Sequence, residues 1–132
     1  MGKLFDIFDN GYCSFKVEAE SADEDCVVFT ILVKNHDYSG AHLFVVDKDS
    51  FQSNLDGLNK MNKTLTGEVK IEDAASDAYL LIEMNNSDLF VKGQFGSISE
   101  DNFLIFKQKL DQTIIRLLYN CFSELLNLKD IN

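Results

Sequence analysis

The chain consists mostly of short segments with strand-like patterning, separated by clusters of polar turn residues. A continuous β-branched and apolar run at residues 26–33 predicts a central strand covered on both faces. Residues 41–46 and 102–110 predict two further strands. Because most connections are short turns, consecutive strands should pair antiparallel. Apolar and polar residues alternate in four more segments, as is typical of strands with one buried face: residues 12–20, 67–72, 78–84 and 89–95.

Two segments have helical spacing instead. Residues 47–50 offer side chains that can cap a helix, and we expect this helix to end near Lys63. Gly57 should weaken it by up to about 1 kcal/mol relative to Ala. Its apolar anchors are Phe51, Leu55, Leu58 and, close to the same stripe, Met61.

Near the C-terminus, Asp111 can accept hydrogen bonds from the first free amides of a second helix. This helix must lie against a sheet to bury its stripe. The sequence therefore predicts one α+β domain over residues 1–132. Its antiparallel sheet has about seven strands, as a half-barrel or two packed sheets, with one central and one C-terminal amphipathic helix. The C-terminal stripe comprises Ile114, Leu117, Leu118, Cys121, Phe122, Leu125 and Leu128.

The charge of the chain restricts its partners. Its 22 acidic and 12 basic residues give a net charge of −10, and Arg116 is the one arginine. Phosphate backbones are bound by clustered Lys and Arg, so we expect no direct binding of nucleic acid. An anionic membrane surface would also repel the chain. A basic protein would be attracted, although the charge could instead serve solubility alone.

The three cysteines are odd in number and widely spaced, which predicts a reducing compartment rather than a disulfide framework. The N-terminal residues carry acids where a signal peptide needs an apolar stretch, and no apolar run approaches the roughly 20 residues of a membrane span. We therefore expect a cytoplasmic protein. The sequence leaves the oligomeric state open.

The sequence shows no recognisable catalytic or metal-binding pattern. Cys13 or Cys26 could pair with His36 or His42, but nothing local supports such a nucleophile. The histidines do not form a zinc pattern with the cysteines. Asp47 and Asp49 resemble the start of a calcium loop that lacks its Gly and distal Glu. We expect no enzyme activity, metal or cofactor.

From Gly40 onward, four stretches resemble the WapI-like family of bacterial immunity proteins. They are the strand and helix start around Asp47, the strand at 65–72, the strand pair at 80–93, and an apolar strand that runs into Asp111-Gln-Thr. The resemblance implies a cognate toxin, the C-terminal domain of a contact-dependent or secreted bacterial toxin and often a nuclease. The immunity protein would bind and block it in the cytoplasm. The alternatives are an acidic interaction module or nucleic-acid mimic and, third, a domain that binds a small ligand or acts as an enzyme.

Charge and aromatic placement predict where a basic toxin would bind. The first hairpin is expected to present an acidic edge, with the tyrosine as anchor on the same strand face as its neighbouring glutamates. A solvated polar face is the alternative interpretation of either set. The first-choice set comprises Tyr12, Glu18, Glu20, Asp23, Glu24 and Asp25. The second-choice set comprises Glu68, Glu72, Asp73 and Asp77.

Overall fold

The computed structural model describes residues 2–97 and 102–128. Within these residues the chain forms eight strands and two helices. In chain order they are β1 (Leu4–Asp9), β2 (Cys13–Ala22), β3 (Cys26–Asn35), β4 (Tyr38–Asp47), α1 (Lys48–Thr64), β5 (Gly67–Glu72), β6 (Tyr79–Asn85), β7 (Asp88–Ser97), β8 (Asn102–Leu110) and α2 (Ile114–Leu126).

The strands form two four-stranded antiparallel sheets, in the order β1-β2-β3-β4 and β5-β6-β7-β8, and α1 connects them. The predicted α+β class and the arrangement as two sheets are confirmed. The sequence pattern missed β1, because a bulge between Asp6 and Phe8 interrupts its alternation. As β1 pairs with β2, the first hairpin predicted from sequence is not at the edge of its sheet.

The two sheets and both helices share one apolar core. The ring of Phe29, on β3, lies 5.6 Å from Phe51 of α1 and 5.8 Å from Phe122 of α2, measured between ring centroids. Phe44 on β4 stacks on Phe29 at 5.6 Å and meets Phe95 of the second sheet at 6.0 Å. This run of aromatic contacts holds both helices and the second sheet against the inner face of the first sheet.

Helix α1 has the predicted anchors and start. The Asp47 carboxylate accepts a hydrogen bond from the Ser50 amide at 3.0 Å, and the helix ends one residue beyond Lys63. Leu65 closes the helix with a left-handed φ of 58° and donates its amide to the Met61 carbonyl. The buried side chains are those predicted: Phe51, Leu55, Leu58 and Met61.

Helix α2 is confirmed, but its stripe is shifted. Ile115 is buried and Ile114 is half-buried, while Leu117 is 46% exposed. Successive helical residues are rotated by about 100°, so Leu117 lies outside the buried sector centred on Leu118. The Asp111 carboxylate accepts the Thr113 amide at 2.9 Å and so caps the turn that leads into the helix. The buried residues are Ile115, Leu118, Cys121, Phe122 and Leu125.

The expectation that β3 is covered on both faces is wrong. Its inner face is buried, with Phe29 and Ile31 fully inaccessible. On its outer face Val28, Thr30 and Leu32 are half-buried, and the described helices pack on the opposite face, around Phe29. The apolar outer residues of β3 therefore lack a covering layer among the described elements.

We expect Gly57→Ala to destabilise the protein although Ala is the better helix former. A Cβ at Gly57 would lie 2.7 Å from Val69 Cγ2, a stiff branched side chain fixed in β5. Overpacking should outweigh the gain in helix propensity, so the unfolding free energy should fall by about 1–2 kcal/mol. Urea denaturation followed by circular dichroism measures the change.

Lys60→Ala, on the exposed side of the same helix, is the matched control and should change the unfolding free energy by less than about 0.5 kcal/mol. A Gly57→Ala protein more stable than the wild type would show that β5 moves away from α1 at little cost.

Candidate partner-binding surface

The turn between β2 and β3 presents three exposed acidic residues, Asp23, Glu24 and Asp25. The Asp23 carboxylate accepts the amides of Asp25 and Cys26, each at 2.8 Å. Hydrogen bonds from the Cys26 and Asp25 amides lower the pKa of Asp23, so it stays ionised at neutral pH. This carboxylate shapes the turn, while Glu24 and Asp25 carry charge to its surface.

The start of α1 adds more negative charge at the same place. Cys26 is paired with Asp47 across β3 and β4, and the Lys48 amide donates to the Asp25 carbonyl at 2.8 Å. The hydrogen bond from the Ser50 amide lowers the pKa of Asp47, so this carboxylate is also ionised. Sequence reasoning assigned Asp47 to capping only. Its proximity to the turn depends on the β3–β4 pairing. We call this group, Asp23, Glu24, Asp25, Asp47 and Asp49, the acidic end.

Glu18 and Glu20 lie on the outer face of the first sheet. Glu18 is paired with Thr30, and Glu20 accepts a hydrogen bond from the Thr30 hydroxyl at 3.0 Å. Thr30 is paired in turn with Leu43 of β4, which is 49% exposed. The two glutamates therefore flank an outer surface that is mainly apolar. We call that surface the open face, made of Val28, Thr30, Leu32, Leu43 and Val45.

Tyr12 does not join this group. It lies in the turn before β2, is 69% exposed, and has its ring centroid 6.1 Å from that of His36. Since a strand rises about 3.3 Å per residue, Tyr12 is about 20 Å from Glu18 and about 35 Å from Asp23 along the hairpin. Tyr12 and the acidic turn stand at opposite ends of β2, so the single acidic edge with Tyr12 beside it does not form. Which of these residues bind a partner stays a prediction.

The second-choice set is also divided. Glu68 and Glu72 are exposed on β5, with Lys70 Nζ 3.5 Å from the Glu72 carboxylate, and Asp77 is exposed in the β5–β6 loop. Asp73 is 6% exposed and cannot act as a surface charge. A groove of about 390 Å³ lies between the acidic end and this set, and its lining includes Asp47, Ser50, Lys70, Glu72 and Asp73.

Asp73 joins the two sheets through a buried network. Its carboxylate accepts the Val45 amide at 3.1 Å, the His42 ring N–H at 2.9 Å and the Ser76 hydroxyl at 2.7 Å. Burial alone would raise the pKa of Asp73, but hydrogen bonds from His42, Ser76, Val45 and Ala75 together hold that pKa below its ordinary value. Asp73 is therefore an ionised carboxylate that fixes the β5–β6 loop to β4.

This Ser, His and Asp group does not have the geometry of a catalytic triad. In a triad the histidine joins serine and aspartate through its two different nitrogens. Here His42 and Ser76 both donate to Oδ2 of Asp73, and His42 Nδ1 accepts the Gly96 amide at 3.2 Å. The network binds β4, the β5–β6 loop and β7 together.

The cysteines are dispersed. Cys13 and Cys26 are half-buried at opposite ends of the β2–β3 pair, and Cys121 is buried in α2, where burial raises the pKa of its thiol. The residues with described positions include no group of three or more His, Cys, Asp or Glu arranged to hold a metal ion. None of the helices among them is long and apolar enough to cross a membrane.

Comparison with known proteins does not place the chain in a family. No protein-family model matches the sequence, and no curated protein matches it. The resemblance to WapI-like immunity proteins therefore stays a prediction from sequence pattern.

Replacing Asp73 tests its structural role. Asp73→Asn places an amide N–H group against the donors of His42 and Ser76, so we expect the unfolding free energy at pH 7 to fall by about 2 kcal/mol. The folded-state pKa of Asp73 is lowered, so its carboxylate contributes fully to the unfolding free energy above the unfolded-state pKa of about 4. This contribution disappears as pH falls through the folded-state pKa. Urea denaturation from pH 7 to pH 2.5 measures both proteins.

The stability difference between wild type and variant should be constant from about pH 7 to 5 and shrink below about pH 4. Glu72→Gln, at an exposed ion pair, is the control and should have little effect at any pH. A difference that persists unchanged at low pH would show that the charge of Asp73 is not what stabilises the loop.

Proposed function

We propose that this chain is an immunity protein that binds and neutralises a cognate, basic bacterial toxin domain. The observation that supports this best is the acidic end, where the β2–β3 turn and the start of α1 bring five carboxylates together. A nuclease domain must hold phosphate groups and so carries a basic cleft. An acidic surface complements such a cleft and speeds association with it.

The distribution of charge favours a directed surface over a uniform hydration coat. On the outer face of the second sheet, three lysines are paired with carboxylates, so these charges cancel, and a fourth lysine lies over an aromatic ring. The pairs are Lys70 with Glu72 at 3.5 Å, Lys92 with Glu83, Lys107 over the ring of Phe90 at 4.8 Å, and Lys109 with Asp88 at 3.7 Å. Near the acidic end, Lys48 is the neighbouring cation that acts on Asp23, and the carboxylates outnumber it.

The resemblance of the four sequence stretches supplies the class of partner. WapI-like immunity proteins act on the C-terminal domains of secreted or contact-delivered toxins, which fits an acidic chain without a recognisable catalytic pattern. One toxin domain would then be bound tightly and its relatives ignored. A nucleic-acid mimic would instead bind many DNA-binding proteins more weakly.

Co-expression with the protein encoded immediately upstream tests the class. We expect the two chains to copurify, and expression of the upstream C-terminal domain alone to arrest growth. Adding this chain should restore growth. A chain that neither copurifies nor rescues, or that binds several unrelated DNA-binding proteins equally well, would overturn the proposal.

Charge reversal tests the acidic end. Glu24→Lys with Asp25→Lys changes exposed residues and leaves Asp23, which shapes the turn, in place. We expect association with the upstream C-terminal domain at low salt to slow by about tenfold or more and to depend less on salt, because steering is lost. Stopped-flow or surface-plasmon kinetics over a salt series measures the rate.

The matched control is Glu68→Lys with Glu72→Lys, which makes the same change in net charge at two exposed positions of β5. It should slow association much less. Equal slowing by both variants would mean that only the total charge matters, and unchanged kinetics in the first variant would exclude the acidic end from the interface.

A further inference from the structure

The open face is more apolar than its position requires. An antiparallel sheet with one solvated face ordinarily alternates apolar and polar residues. Val28 and Leu32 of β3 nevertheless point outward, and they alternate with the buried residues Val27, Phe29, Ile31 and Val33. Leu43 and Val45 of β4 continue the patch, since Val28 is paired with Val45 and Thr30 with Leu43. Four branched apolar side chains therefore form one contiguous outer surface without a cover among the described elements.

The surroundings of this patch are polar, and they are acidic toward the β2–β3 turn. Toward the other end of the strands, Lys16 is paired with Leu32, and its ammonium group lies 3.5 Å from the Asp9 carboxylate. Glu18 is paired with Thr30 on the β2 side, and Glu20 is bonded to its hydroxyl. At the end of the strands, Asp47 is paired with Cys26, next to the acidic turn. An apolar centre with a charged rim is the usual composition of a protein-binding surface, and contiguous apolar patches on a sheet mark such surfaces.

We infer that the open face is the anchoring centre of the interface, and that its occupant is an apolar side-chain group of the basic toxin domain flanked by Lys or Arg. The inference rests on the proposed function and extends it from charge attraction to the contact that holds the complex. Leu43, with half of its surface exposed, would be the main anchor in place of Tyr12.

Charge selects this occupant over a second copy of the chain. Two open faces brought together would bring Glu18 and Glu20 of both copies into one interface. Each copy carries a net charge of −10, so association would place like charges together. A basic partner instead neutralises the rim while its apolar group covers the centre.

The two parts of the surface should have different kinetic effects. Rim charges act mainly on the association rate through long-range attraction, whereas buried apolar contacts act mainly on the dissociation rate. This difference allows the open face to be tested separately from the acidic end.

The test variant is Val28→Thr with Leu43→Thr, which keeps the charge and uses a residue that favours strands. With the upstream C-terminal domain as probe, we expect dissociation to become about tenfold faster or more and the association rate to stay within about twofold. Ile105→Thr, at a 63% exposed aliphatic residue on the outer face of the second sheet, is the matched control and should change neither rate. Circular dichroism and the urea midpoint verify that each variant is folded.

The outcomes separate the inference from the function that it extends. A folded double variant that dissociates like the wild type would overturn the open face as anchor, while slowed association of the Glu24→Lys, Asp25→Lys variant would still support the proposed function. Failure of the wild-type chain to bind the probe would overturn the proposed function itself. Sedimentation equilibrium showing a wild-type dimer that the double variant abolishes would assign the open face to a second copy and overturn the inference.

Discussion

The structure depends on the aromatic contacts around Phe29. This ring touches Phe44, Phe51 and Phe122, and so brings the first sheet, α1 and α2 together at one point. Phe44 in turn contacts Phe95 of the second sheet. A sheet of four strands cannot bury one of its own faces. At the aromatic cluster, each sheet and each helix packs its apolar face against the others.

Two polar bridges fix how the sheets meet around this cluster. On one side, Asp73 accepts the Val45 amide and the Ala74 amide donates to the Val45 carbonyl, so the β5–β6 loop occupies part of the β4 edge. At another point, the Gln108 amide group donates to the carbonyls of Ser14 and Lys34. Buried polar groups need specific partners, so these bonds define one arrangement of sheets that apolar packing alone would leave less constrained.

Packing of the inner faces leaves the outer faces for function. Both helices and the second sheet cover the inner face of the first sheet, and the outer face of that sheet keeps Leu43, Val45 and Val28 beside acidic residues. The same fold places the start of α1 next to the β2–β3 turn, which concentrates negative charge at one end. The proposed binding surface thus combines an apolar centre and a charged rim on rigid strands, where the side chains lose little freedom when a partner binds.

The sequence determined the local structure well wherever apolar residues clearly recurred at the spacing of a strand or of a helix. The strands over β5 and β8 and the anchors of α1 followed from alternation and helical spacing, because burial of one face imposes that spacing. A bulge in β1 hid this strand from the sequence pattern. In α2, apolar residues occupy neighbouring positions, so the sequence did not show which side of the helix is buried, and only contact with the sheet decides it. The sequence likewise supplied the total charge and the acidic turn.

Only the tertiary structure decided what those residues do. Asp73 resembled its acidic neighbours in the sequence, yet strand pairing and loop packing make it a buried link to His42 and Val45. Tyr12 and Asp23 are on one predicted hairpin, yet the length of an extended strand keeps them apart, while Asp25 and Lys48 meet across the β3–β4 pair. Periodicity indicates which face of an element is buried. Which residues cover that face, and whether anything covers the opposite one, depends on elements that are distant in the chain.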